Sequence, residues 1–538
     1  MSFVDIIPLG GVREFGLNCL ALQTGAGAIL IDAGLMFPRY NITGIDQIIP
    51  DFGYVVANQA KFKGVLLTHG HEDHLGALPH LLKQARLPVY GHAFALEILR
   101  RKLWEQEIDT RGLLHPIEHG ARLELAGLGI EAIEVEHSTL GCFTYRIESP
   151  QGLIVHSGDF RKTPVAYAAF SEPARVFICE STNAENAFEA RPESEVIASI
   201  EAIVKQTTGT VLVSTFSSHM ARIQGLYEVA VRNGRRVAII GRSLNQAVDI
   251  ASDLGLIKLE PEHLLNPEQL NVTERSKVMI VCTGTQGEMY SVLALIARGW
   301  HNFKAREGDS VIISARIIPG NEFAISRCID QLIDVGAEVY YPGVAEVHTS
   351  GHATQAEVVK ALEWLRPAIV LPVHGELRHM KALKNLALET LAQPPQCELM
   401  RAGQVWRLDE KGLNLSGEVS HGKCFVDGHL TGDLKDEVLK DRRHISEGGM
   451  VVAFVVIDTH TREIVLGPDV FSTGVVPGEI EQSLMEELGQ AATQLLNQAQ
   501  LRESENAVIG ERLKETMSRL LKARIGKKPL VKPIIMEI

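Results

Sequence analysis

Three histidines and an aspartate are crowded into the segment Thr68–Pro79, which reads THGHEDHLGALP. The residues are His69, His71, Asp73 and His74. In an interior without a cation these groups would repel and desolvate one another, whereas imidazole nitrogens and carboxylate oxygens are natural ligands of divalent metals. The apolar run Gly64–Leu67 predicts a buried strand before the cluster, and the Leu and Ala spacing of Leu75–Gln84 predicts a helix after it. The pattern therefore predicts a metal-binding loop between a strand and a helix.

Three more candidate ligands follow predicted strands, and they are His137, Asp159 and His374. Each alone is more often a turn residue or a group that supports a ligand, but together they complete a two-metal site. We expect one ion between His69, His71 and His137. We expect a second between Asp73, His74 and His374, with Asp159 bridging the two. Two ions about 3.5–4 Å apart can share a hydroxide, lower its pKa and stabilise a phosphoryl transition state.

Asp32 ends the predicted strand Ile29–Ile31 and has two interpretations. In the first, it accepts a hydrogen bond from a ligand imidazole, as carboxylates behind metal sites commonly do. In the second, it only forms a turn at the end of the strand.

The length of 538 residues exceeds what one hydrophobic core usually supports, so we expect two or three domains. Hydrophobic residues make up 45% and charged residues 22%, which is ordinary for a folded soluble protein. The seven cysteines form no CxxC pair and favour reduced thiols in a cytoplasm. No signal peptide or membrane span is expected. The net charge of −13 argues against a general polyanion-coating protein but leaves room for nucleic acid in a metal-lined cleft.

From about residue 195, predicted strands and helices alternate, which indicates a parallel sheet covered on both faces. The strands are 211–215, 236–240, 278–282 and 311–314, and the helices are 221–232, 245–254 and 288–298. The charged, glycine-bearing stretch Asp433–Gly449 is interpreted as a linker. The remaining residues predict a strand pair, a long amphipathic helix and a basic tail, Lys527–Lys532.

Many short motifs occur in an order that resembles one known family. HxHxDH with an upstream strand-end aspartate, a later histidine and a later aspartate is similar to the metallo-β-lactamase superfamily. Within it, the chain resembles ribonuclease J, of the β-CASP nucleases, over essentially its whole length. The matching segments are 8–18, 68–79, 157–161, 181–185, 215–218, 241–243, 282–288, 318–322, 348–353, 372–376 and 441–443.

The resemblance implies further roles. Glu180 matches the acidic β-CASP position, where relatives usually have Asp. His352 matches the histidine that acts as general acid to the leaving oxygen, a task suited to a near-neutral pKa. His374 matches the third β-CASP motif, and Asp73 would orient the attacking hydroxide as well as bind metal. The candidate contacts to RNA phosphates are His348, Ser350, Gly351, Ala353, Arg242 and Ser243. His348 has a structural role as its alternative, and Arg242 has a salt bridge as its alternative.

Three positions depart from the family pattern. After His137 the chain reads STLGC over Ser138–Cys142, where relatives typically have Ser-Ile-Pro-Asp-Ser, so a rebuilt loop is expected. Ala221 replaces a histidine of many relatives, and an aromatic Gly-Phe-Val-Tyr stretch is missing near Phe471. None of these changes touches a predicted metal ligand.

The implied fold class is α/β, with a metallo-β-lactamase αββα sandwich formed by residues 1–190 and 350–430. A β-CASP α/β domain with a parallel sheet would be inserted at 191–349, and RNA would lie in the groove between the two. A linker at 431–450 would lead to a small α/β C-terminal domain at 451–538, which assists dimerisation in the family. The basic tail is interpreted as a solvated end or an interface strand.

The implied function is hydrolysis of RNA phosphodiesters in which metal-bound hydroxide attacks phosphorus and leaves a 5′-phosphate. Such an enzyme acts in RNA processing and decay, as a 5′→3′ exonuclease on 5′-monophosphate RNA and as an endonuclease. Zn²⁺ suits the histidine-rich donors, with Mn²⁺ or Mg²⁺ as alternatives. The expected partners are RNA, further copies of the chain in a homodimer or tetramer, and RNA-decay proteins, without a membrane.

Three rival functions remain open. A β-CASP nuclease acting on DNA would share every ligand. A superfamily hydrolase of small molecules should lack the inserted domain and His352. A non-catalytic RNA-processing scaffold should have lost ligands, whereas all seven candidate ligands are present here.

Overall fold

The computed structural model describes residues 2–38, 44–188, 191–318, 320–428, 430–432, 436–498 and 505–538. The strands are β1 Val4–Gly10, β2 Cys19–Thr24, β3 Gly27–Ile31, β4 Gln47–Pro50, β5 Phe62–Leu66, β6 Val89–Gly91, β7 Leu114–Pro116, β8 Arg122–Leu125, β9 Leu128–Val135, β10 Cys142–Ser149, β11 Gly152–His156, β12 Val176–Glu180, β13 Val211–Ser214, β14 Arg236–Ile240, β15 Val278–Cys282, β16 Ser310–Ile313, β17 Glu338–Tyr340, β18 Ile369–Val373, β19 Gln396–Cys397, β20 Gln404–Asp409, β21 Gly412–Glu418, β22 Lys423–Asp427, β23 Leu430–Gly432, β24 Met450–Ile457, β25 Ile464–Thr473 and β26 Leu530–Glu537.

The α-helices are α1 Gly53–Ala57, α2 Glu72–Leu75, α3 Leu78–Gln84, α4 Ala93–Glu105, α5 Glu193–Gln206, α6 Met220–Arg232, α7 Arg242–Asp253, α8 Val292–Ala297, α9 Glu322–Asp334, α10 Gln355–Leu365, α11 Leu377–Thr390, α12 Asp436–Gly448, α13 Gly478–Leu496 and α14 Asn506–Ile525. These elements divide into two units. The first is Met1–Phe37 with Ile48–Lys423, and the second is Pro38–Gln47 with Cys424–Ile538.

Two sheets of the first unit face each other across one hydrophobic core. One sheet has the order β21-β20-β1-β2-β3-β5-β6-β7, and the other has the order β19-β18-β12-β11-β10-β9-β8. Successive residues of a strand point to opposite faces. In β12, Val176 and Ile178 therefore join the core between the sheets, whereas Phe177 and Cys179 pack against α10 and α11. Because α4 contacts β6 and β7 of the other sheet, the predicted αββα sandwich is confirmed.

A five-stranded sheet is inserted in the chain between β12 and β18. Its order is β14-β15-β13-β16-β17, and every neighbouring pair is parallel. One face packs against α5, α6 and α7, and the other packs against α8 and α9. Strands covered on both faces are nearly continuous apolar runs, as Val278–Cys282 illustrates. The predicted inserted α/β domain with a parallel sheet is confirmed.

One predicted helix of this insert is shorter than expected. The sequence pattern predicted a helix over 288–298, but α8 covers only Val292–Ala297. Gly287 has a φ of +71°, and the Ser291 hydroxyl accepts a hydrogen bond from the Ala294 N–H as the helix cap. The preceding residues therefore form a turn, and the helix begins at its serine cap. In contrast, α7 begins at Arg242, three residues before the predicted start of 245.

The helix predicted over Leu75–Gln84 begins later, as α3 at Leu78, and the separate short helix α2 precedes it. The Ala77 N–H donates to the carbonyl of Ala33 at 2.9 Å instead of continuing the α2 hydrogen-bond pattern. The short α2 carries Asp73 and His74, so two of the candidate ligands lie on a helical turn rather than on an open loop.

The second unit contains a three-stranded sheet of order β25-β24-β26. β24 is antiparallel to β25 and parallel to β26, and α13 and α14 contribute Leu488 and Leu521 to the core on one face. The sequence predicted only a strand pair, with the basic tail as a solvated end or interface strand. The strand count was one too few, because Leu530–Glu537 forms a third strand and buries Val531. A role of this edge strand in an interface stays a prediction.

The region 431–450, predicted as a linker, contains α12 over Asp436–Gly448. Residues 433–435 of that predicted linker, and Pro319 of the motif 318–322, lie outside the described residues. The domain boundaries drawn from the sequence stay predictions. Within the described part of the chain, no helix is both long and apolar enough to cross a membrane.

Candidate active site

Candidate donors meet at one edge of the seven-stranded sheet because three parallel strands end there. β11, β12 and β18 are neighbours in that order, and Asp159, Glu180 and His374 stand at or just beyond their carboxyl ends. β9 of the same sheet ends two residues before His137. The loop with His69 follows β5 of the facing sheet. Parallel strands place their carboxyl ends at one edge, which is where α/β proteins commonly bind ligands.

His69, His71 and His137 form the first group of candidate donors. Their ligand atoms all lie within 4.8 Å of one another. The Nδ1 atom of His71 is 2.9 Å from Nε2 of His69 and 3.3 Å from Nε2 of His137. A tetrahedral Zn²⁺ with Zn–N distances of about 2.0–2.1 Å holds its nitrogens about 3.3 Å apart, so these spacings suit one ion.

Asp73, His74 and His374 form the second group, again within 4.8 Å of one another. The Oδ2 atom of Asp73 lies 2.9 Å from Nε2 of His374 and 3.6 Å from Nε2 of His74. One oxygen of Asp159 faces both groups. Its Oδ2 lies 3.3 Å from Nε2 of His74, and 3.8, 3.9 and 3.8 Å from Nε2 of His69, His137 and His374. This is the position that a bridging carboxylate requires.

The charges in the two groups fit a bound cation. Burial lowers the pKa of His69 and His137 well below the ordinary value and lowers that of His71 to about 4, so these rings keep free lone pairs. Burial also acts to lower the pKa of His74, but the Asp159 and Asp73 carboxylates outweigh it and raise that pKa well above normal. Both carboxyls have lowered pKa values, because neighbouring histidines outweigh the effect of burial. The ionised carboxylates and the lone pairs of the neutral rings suit a divalent metal, which would displace the proton that the carboxylates favour on His74.

All five histidines have their other ring nitrogen next to an oxygen atom. The contacts are His69 Nδ1 to Thr68 Oγ1 (3.0 Å), His71 Nε2 to Ser218 Oγ (2.9 Å), His74 Nδ1 to Asp32 Oδ2 (2.8 Å), His137 Nδ1 to the Gly351 carbonyl (2.6 Å) and His374 Nδ1 to Thr182 Oγ1 (2.7 Å). An oxygen behind the ring fixes its tautomer and orients it, so that the inner nitrogen presents a lone pair. Histidines that ligate metals almost always have such a partner.

Asp32 lies behind His74 and is buried. Its Oδ2 also accepts from the Thr68 hydroxyl and its Oδ1 accepts from the Thr68 N–H, both at 2.8 Å. The backbone of Asp32 has a φ of +59°, which directs the carboxylate toward the histidine loop instead of along the strand. The geometry agrees with the first of its two interpretations, a carboxylate that orients a ligand imidazole.

Sequence reasoning missed Thr68, Thr182 and Ser218 as partners of ligand rings. Hydroxyl residues are common in the turns that follow strands, so residue type gave no usable signal. All three did lie inside matched family segments, and that position was the only available indication.

His352 and Glu180 stand together beside the metal groups. The His352 Nδ1 lies 2.9 Å from Glu180 Oε2 and 3.7 Å from Asp159 Oδ2. Burial disfavours a charged His352 ring, but the carboxylates of Glu180 and Asp159 outweigh burial and raise its pKa to about 9. The other Glu180 oxygen accepts from the Phe160 N–H at 3.1 Å, which fixes the carboxylate. The structure thus places beside the cluster an imidazole whose carboxylate neighbours favour its protonated form.

Known proteins resemble this chain along its whole length. Four family models match: "Beta-lactamase superfamily domain" over residues 28–213, "Ribonuclease J, beta-CASP domain" over 208–332, "Zn-dependent metallo-hydrolase RNA specificity domain" over 338–394 and "Ribonuclease J C-terminal domain" over 437–538. Ribonuclease J 1 of Streptococcus pyogenes serotype M3 is 35% identical over 88% of this chain and 86% of its own length. Ribonuclease J of Thermus thermophilus is 34% identical over 99% of this chain and 95% of its own length. The chain belongs to the ribonuclease J family.

A solved structure also shares the fold. A crystal structure of a protein of unknown function from Enterococcus faecalis V583 matches 75% of this chain and 99% of its own, with a TM-score of 0.53. Because its sequence identity is 14%, this likeness bears on the fold alone.

The segment that resembles the phosphate-contacting motif of ribonuclease J is held by internal hydrogen bonds. Ser350 Oγ accepts from Asn183 Nδ2 at 3.0 Å and from the His352 N–H at 3.1 Å. The Ala353 N–H, expected to face RNA phosphate, has an internal partner in Glu180 Oε1 at 3.4 Å. The Gly351 carbonyl, not its N–H, makes the described contact, with His137.

Gly351 also packs closely on the loop that departs from the ribonuclease J pattern. A Cβ at this position would lie 2.8 Å from the Ser138 hydroxyl oxygen and 3.0 Å from Cε1 of His137. The rebuilt loop after His137 therefore keeps the ligand and packs against the return segment, residues 348–353, and a glycine is required for that approach.

The three other predicted phosphate contacts are His348, Arg242 and Ser243, and no described contact links any of them to the metal-ligand candidates. His348 is half-buried, and its Nδ1 has no hydrogen-bond partner in the described part of the chain. Burial, with the charges of Arg222 and Arg316, lowers its pKa to about 3, so the ring is neutral. The Arg242 side chain is 81% exposed and pairs with Glu105 at 2.9 Å, which is the salt bridge left open by the sequence. Ser243 is exposed beside it.

A buried arginine anchors the helix end that presents Ser218. Arg222 on α6 is fully buried and donates to both carboxylate oxygens of Glu193. His219 caps α6, because its Nδ1 accepts from the Arg222 N–H at 3.4 Å. Ala221 stands where many relatives have a histidine, and buried His219 lies at the start of the helix instead. A buried charge needs such a partner, so the pair of Arg222 and Glu193 holds the start of α6, where Ser218 lies.

Proposed function

We propose that this chain is a metal-dependent ribonuclease that hydrolyses RNA phosphodiesters, both as a 5′→3′ exonuclease on 5′-monophosphate RNA and as an endonuclease. One observation carries the proposal: five imidazoles converge with two carboxylates, and each ring is supported by an oxygen from behind. The relatives named ribonuclease J support RNA as the substrate class. RNA processing and decay is the corresponding role.

Two divalent ions are proposed as cofactors. His69, His71 and His137 would hold the first, and Asp73, His74 and His374 would hold the second, with Asp159 between them. When bound, such ions supply Lewis acidity, which makes water nucleophilic near neutral pH and stabilises charge on the phosphoryl group. The histidine-rich set favours Zn²⁺, and Mn²⁺ and Mg²⁺ are the alternatives to be tested.

His352 is proposed as the general acid that protonates the leaving ribose oxygen. Glu180 engages Nδ1 at 2.9 Å, so the proton would come from Nε2. Glu180 orients the ring, much as carboxylates orient catalytic histidines elsewhere. Asp73, one of the few ligands with an appreciably exposed side chain, would also orient the attacking water.

RNA is proposed to lie between the αββα sandwich and the inserted sheet. The support is that Ser218 of the insert and Ser350 of the return segment both lie beside cluster residues. Phosphate contacts by His348, Ser350, Gly351, Ala353, Arg242 and Ser243 stay predictions, as do a homodimer, RNA-decay protein partners and a cytoplasmic location.

The test uses end-labelled RNA that carries either a 5′-monophosphate or a 5′-triphosphate. Wild type is compared with the His71→Ala, Asp73→Ala double variant in the presence of Zn²⁺, Mn²⁺ or Mg²⁺. The matched control is His119→Ala, Asp109→Ala, which removes the same residue types from exposed positions. We expect hydrolysis in wild type and control, faster on monophosphate RNA, and none in the first variant.

Single-stranded DNA of equal length separates the main rival. DNA cleavage without RNA cleavage would refute the ribonuclease. Equal activity in the His71→Ala, Asp73→Ala variant would refute the metal mechanism, and products without a 5′-phosphate would refute the direction of attack.

A further inference from the structure

We infer that Arg316, which neither the motif comparison nor the ligand chemistry singled out, binds a phosphate of the RNA beside His352. The inference rests on the proposed function, because it assumes that RNA is the substrate. It adds a substrate-binding residue that belongs to the inserted sheet and acts at a position different from Arg242.

Arg316 lies at the carboxyl end of the inserted sheet, three residues after β16. One guanidinium nitrogen, NH1, donates to Asn183 Oδ1 at 3.1 Å. Asn183 in turn donates to Ser350 Oγ at 3.0 Å and to the His352 carbonyl at 3.1 Å. The guanidinium is therefore two hydrogen bonds away from the segment that carries the proposed general acid.

The Arg316 side chain is exposed, and the part of the chain that the structure describes holds no acidic partner for it. Among the described residues, no carboxylate lies within ion-pair distance of its guanidinium. Several other arginines of the first unit have a carboxylate partner. Those that pair with a carboxylate include Arg222 with Glu193, Arg242 with Glu105, Arg275 with Asp309 and Arg378 with Glu376. An unpaired guanidinium beside an active site is available for an anionic ligand.

The backbone at Arg316 is fixed, so the side chain starts from a defined position. Buried Gln286 donates to the Arg316 carbonyl at 3.0 Å and accepts from the Ile318 N–H at 2.8 Å. Asn183 is also buried and uses its amide oxygen and its amide nitrogen in the contacts described. Such preorganisation reduces the entropy lost when a ligand binds.

The chemistry of the group matches a phosphodiester. A guanidinium presents five N–H donors in a planar fork, of which the Asn183 contact uses one, and the others can reach the non-bridging oxygens of a phosphate. The phosphate could be the 5′-terminal group of the RNA or an internal linkage. Both present the same oxygens, so the experiment must distinguish them.

The test compares holoenzymes carrying Arg316→Gln and Arg316→Lys with wild type. Gln keeps an N–H for Asn183 but removes the charge, whereas Lys keeps the charge. The control is Arg232→Gln, which removes an exposed charge at the far end of α6, about 20 Å along the helix from Ser218. RNA of one sequence, with either a 5′-hydroxyl or a 5′-monophosphate, is hydrolysed over a range of salt concentrations.

For Arg316→Gln we expect KM to rise roughly 10-fold with kcat nearly unchanged, since a hydrogen bond to a charged group is lost. The slope of log(kcat/KM) against log[salt] should become shallower by about 0.7, the value for one phosphate contact on a single strand. Arg316→Lys should retain the wild-type slope, and Arg232→Gln should match wild type throughout. A defect confined to 5′-monophosphate RNA assigns the terminal phosphate, and an equal defect on both RNAs assigns an internal one.

A wild-type salt slope in Arg316→Gln would overturn the inference, whatever happens to KM. So would a loss of kcat alone, because that result indicates a positioning role through Asn183. Failure of the proposed function looks different, since wild type itself would then not cleave either RNA.

Discussion

The two sides of the candidate active site are built from different kinds of groups. The metal side consists of mostly buried histidines and carboxylates that follow strands or lie on α2, and each histidine ring has an oxygen partner behind it. The substrate side consists of hydroxyl, amide and guanidinium groups from the insert and the return segment, namely Ser218, Arg316, Asn183 and Ser350. Buried charges survive only when they are paired or metal-bound, so residue type is tightly constrained on the first side. On the second side, position matters more than type.

Loss of a single metal donor should give the largest fall in RNA hydrolysis, and it changes the metal side without changing the substrate side. In His74→Ala, the carboxylates of Asp73 and Asp159 lose the ring between them. We expect metal content to fall from two ions per chain to one, and RNA hydrolysis to fall below roughly 10⁻⁴ of wild type, because one ion supplies several kcal/mol of stabilisation. Metal analysis of the purified protein and single-turnover hydrolysis provide the measurement. Two ions retained by the variant would show that the second group is assigned wrongly.

Removal of the proposed general acid should leave the metal side intact. His352→Ala is expected to lower kcat by about 10²–10⁴-fold, the usual contribution of a positioned acid, while two ions stay bound. Glu180→Gln should lower kcat less, since an amide oxygen can still accept from His352 Nδ1. If His352→Ala also lost an ion, the ring would be a metal ligand and the division between the two sides would fail.

Asp32→Asn probes the group behind the metal side. Because Asp32 contacts His74 Nδ1 at 2.8 Å, the variant should weaken metal binding by about 10–100-fold without removing a donor. Competition with a chelator measures the affinity, and Asp109→Asn is the control from an exposed position. An unchanged affinity would support the second interpretation, in which Asp32 only forms a turn at the end of the strand.

The smallest effect is expected for Ser218→Ala, where the substrate side touches the metal side. The lost contact with His71 Nε2 is a neutral hydrogen bond of about 0.5–1.5 kcal/mol, so metal affinity should fall by about 2- to 10-fold. Ser218→Thr keeps a hydroxyl and should lie nearer to wild type in the same chelator titration. An effect as large as that of Asp32→Asn would mean that the insert helps to build the metal side.

The sequence singled out the residues of the metal side, which the structure brings together, because clustered histidines and aspartates after predicted strands are rare and chemically specific. It predicted the αββα sandwich and the inserted parallel sheet through the order of apolar runs. It could not select Thr182, Asn183 or Ser218, because such residues are frequent in any turn. It favoured Arg242 over Arg316, since nothing local shows that Glu105, far away in the chain, neutralises Arg242. The third strand of the second unit was missed because its pairing with β24 is also non-local.

The hydrogen bond from His137 Nδ1 to the Gly351 carbonyl joins a candidate metal ligand to the segment with Ser350 and His352. Any ion that immobilises the imidazole also restrains this segment, and any RNA that restrains the segment immobilises the imidazole. Linkage is reciprocal: the factor by which metal tightens RNA binding equals the factor by which RNA tightens metal binding. Metal and RNA are therefore expected to be cooperative ligands of one another, so that the enzyme holds its metal most firmly while it is engaged with a transcript.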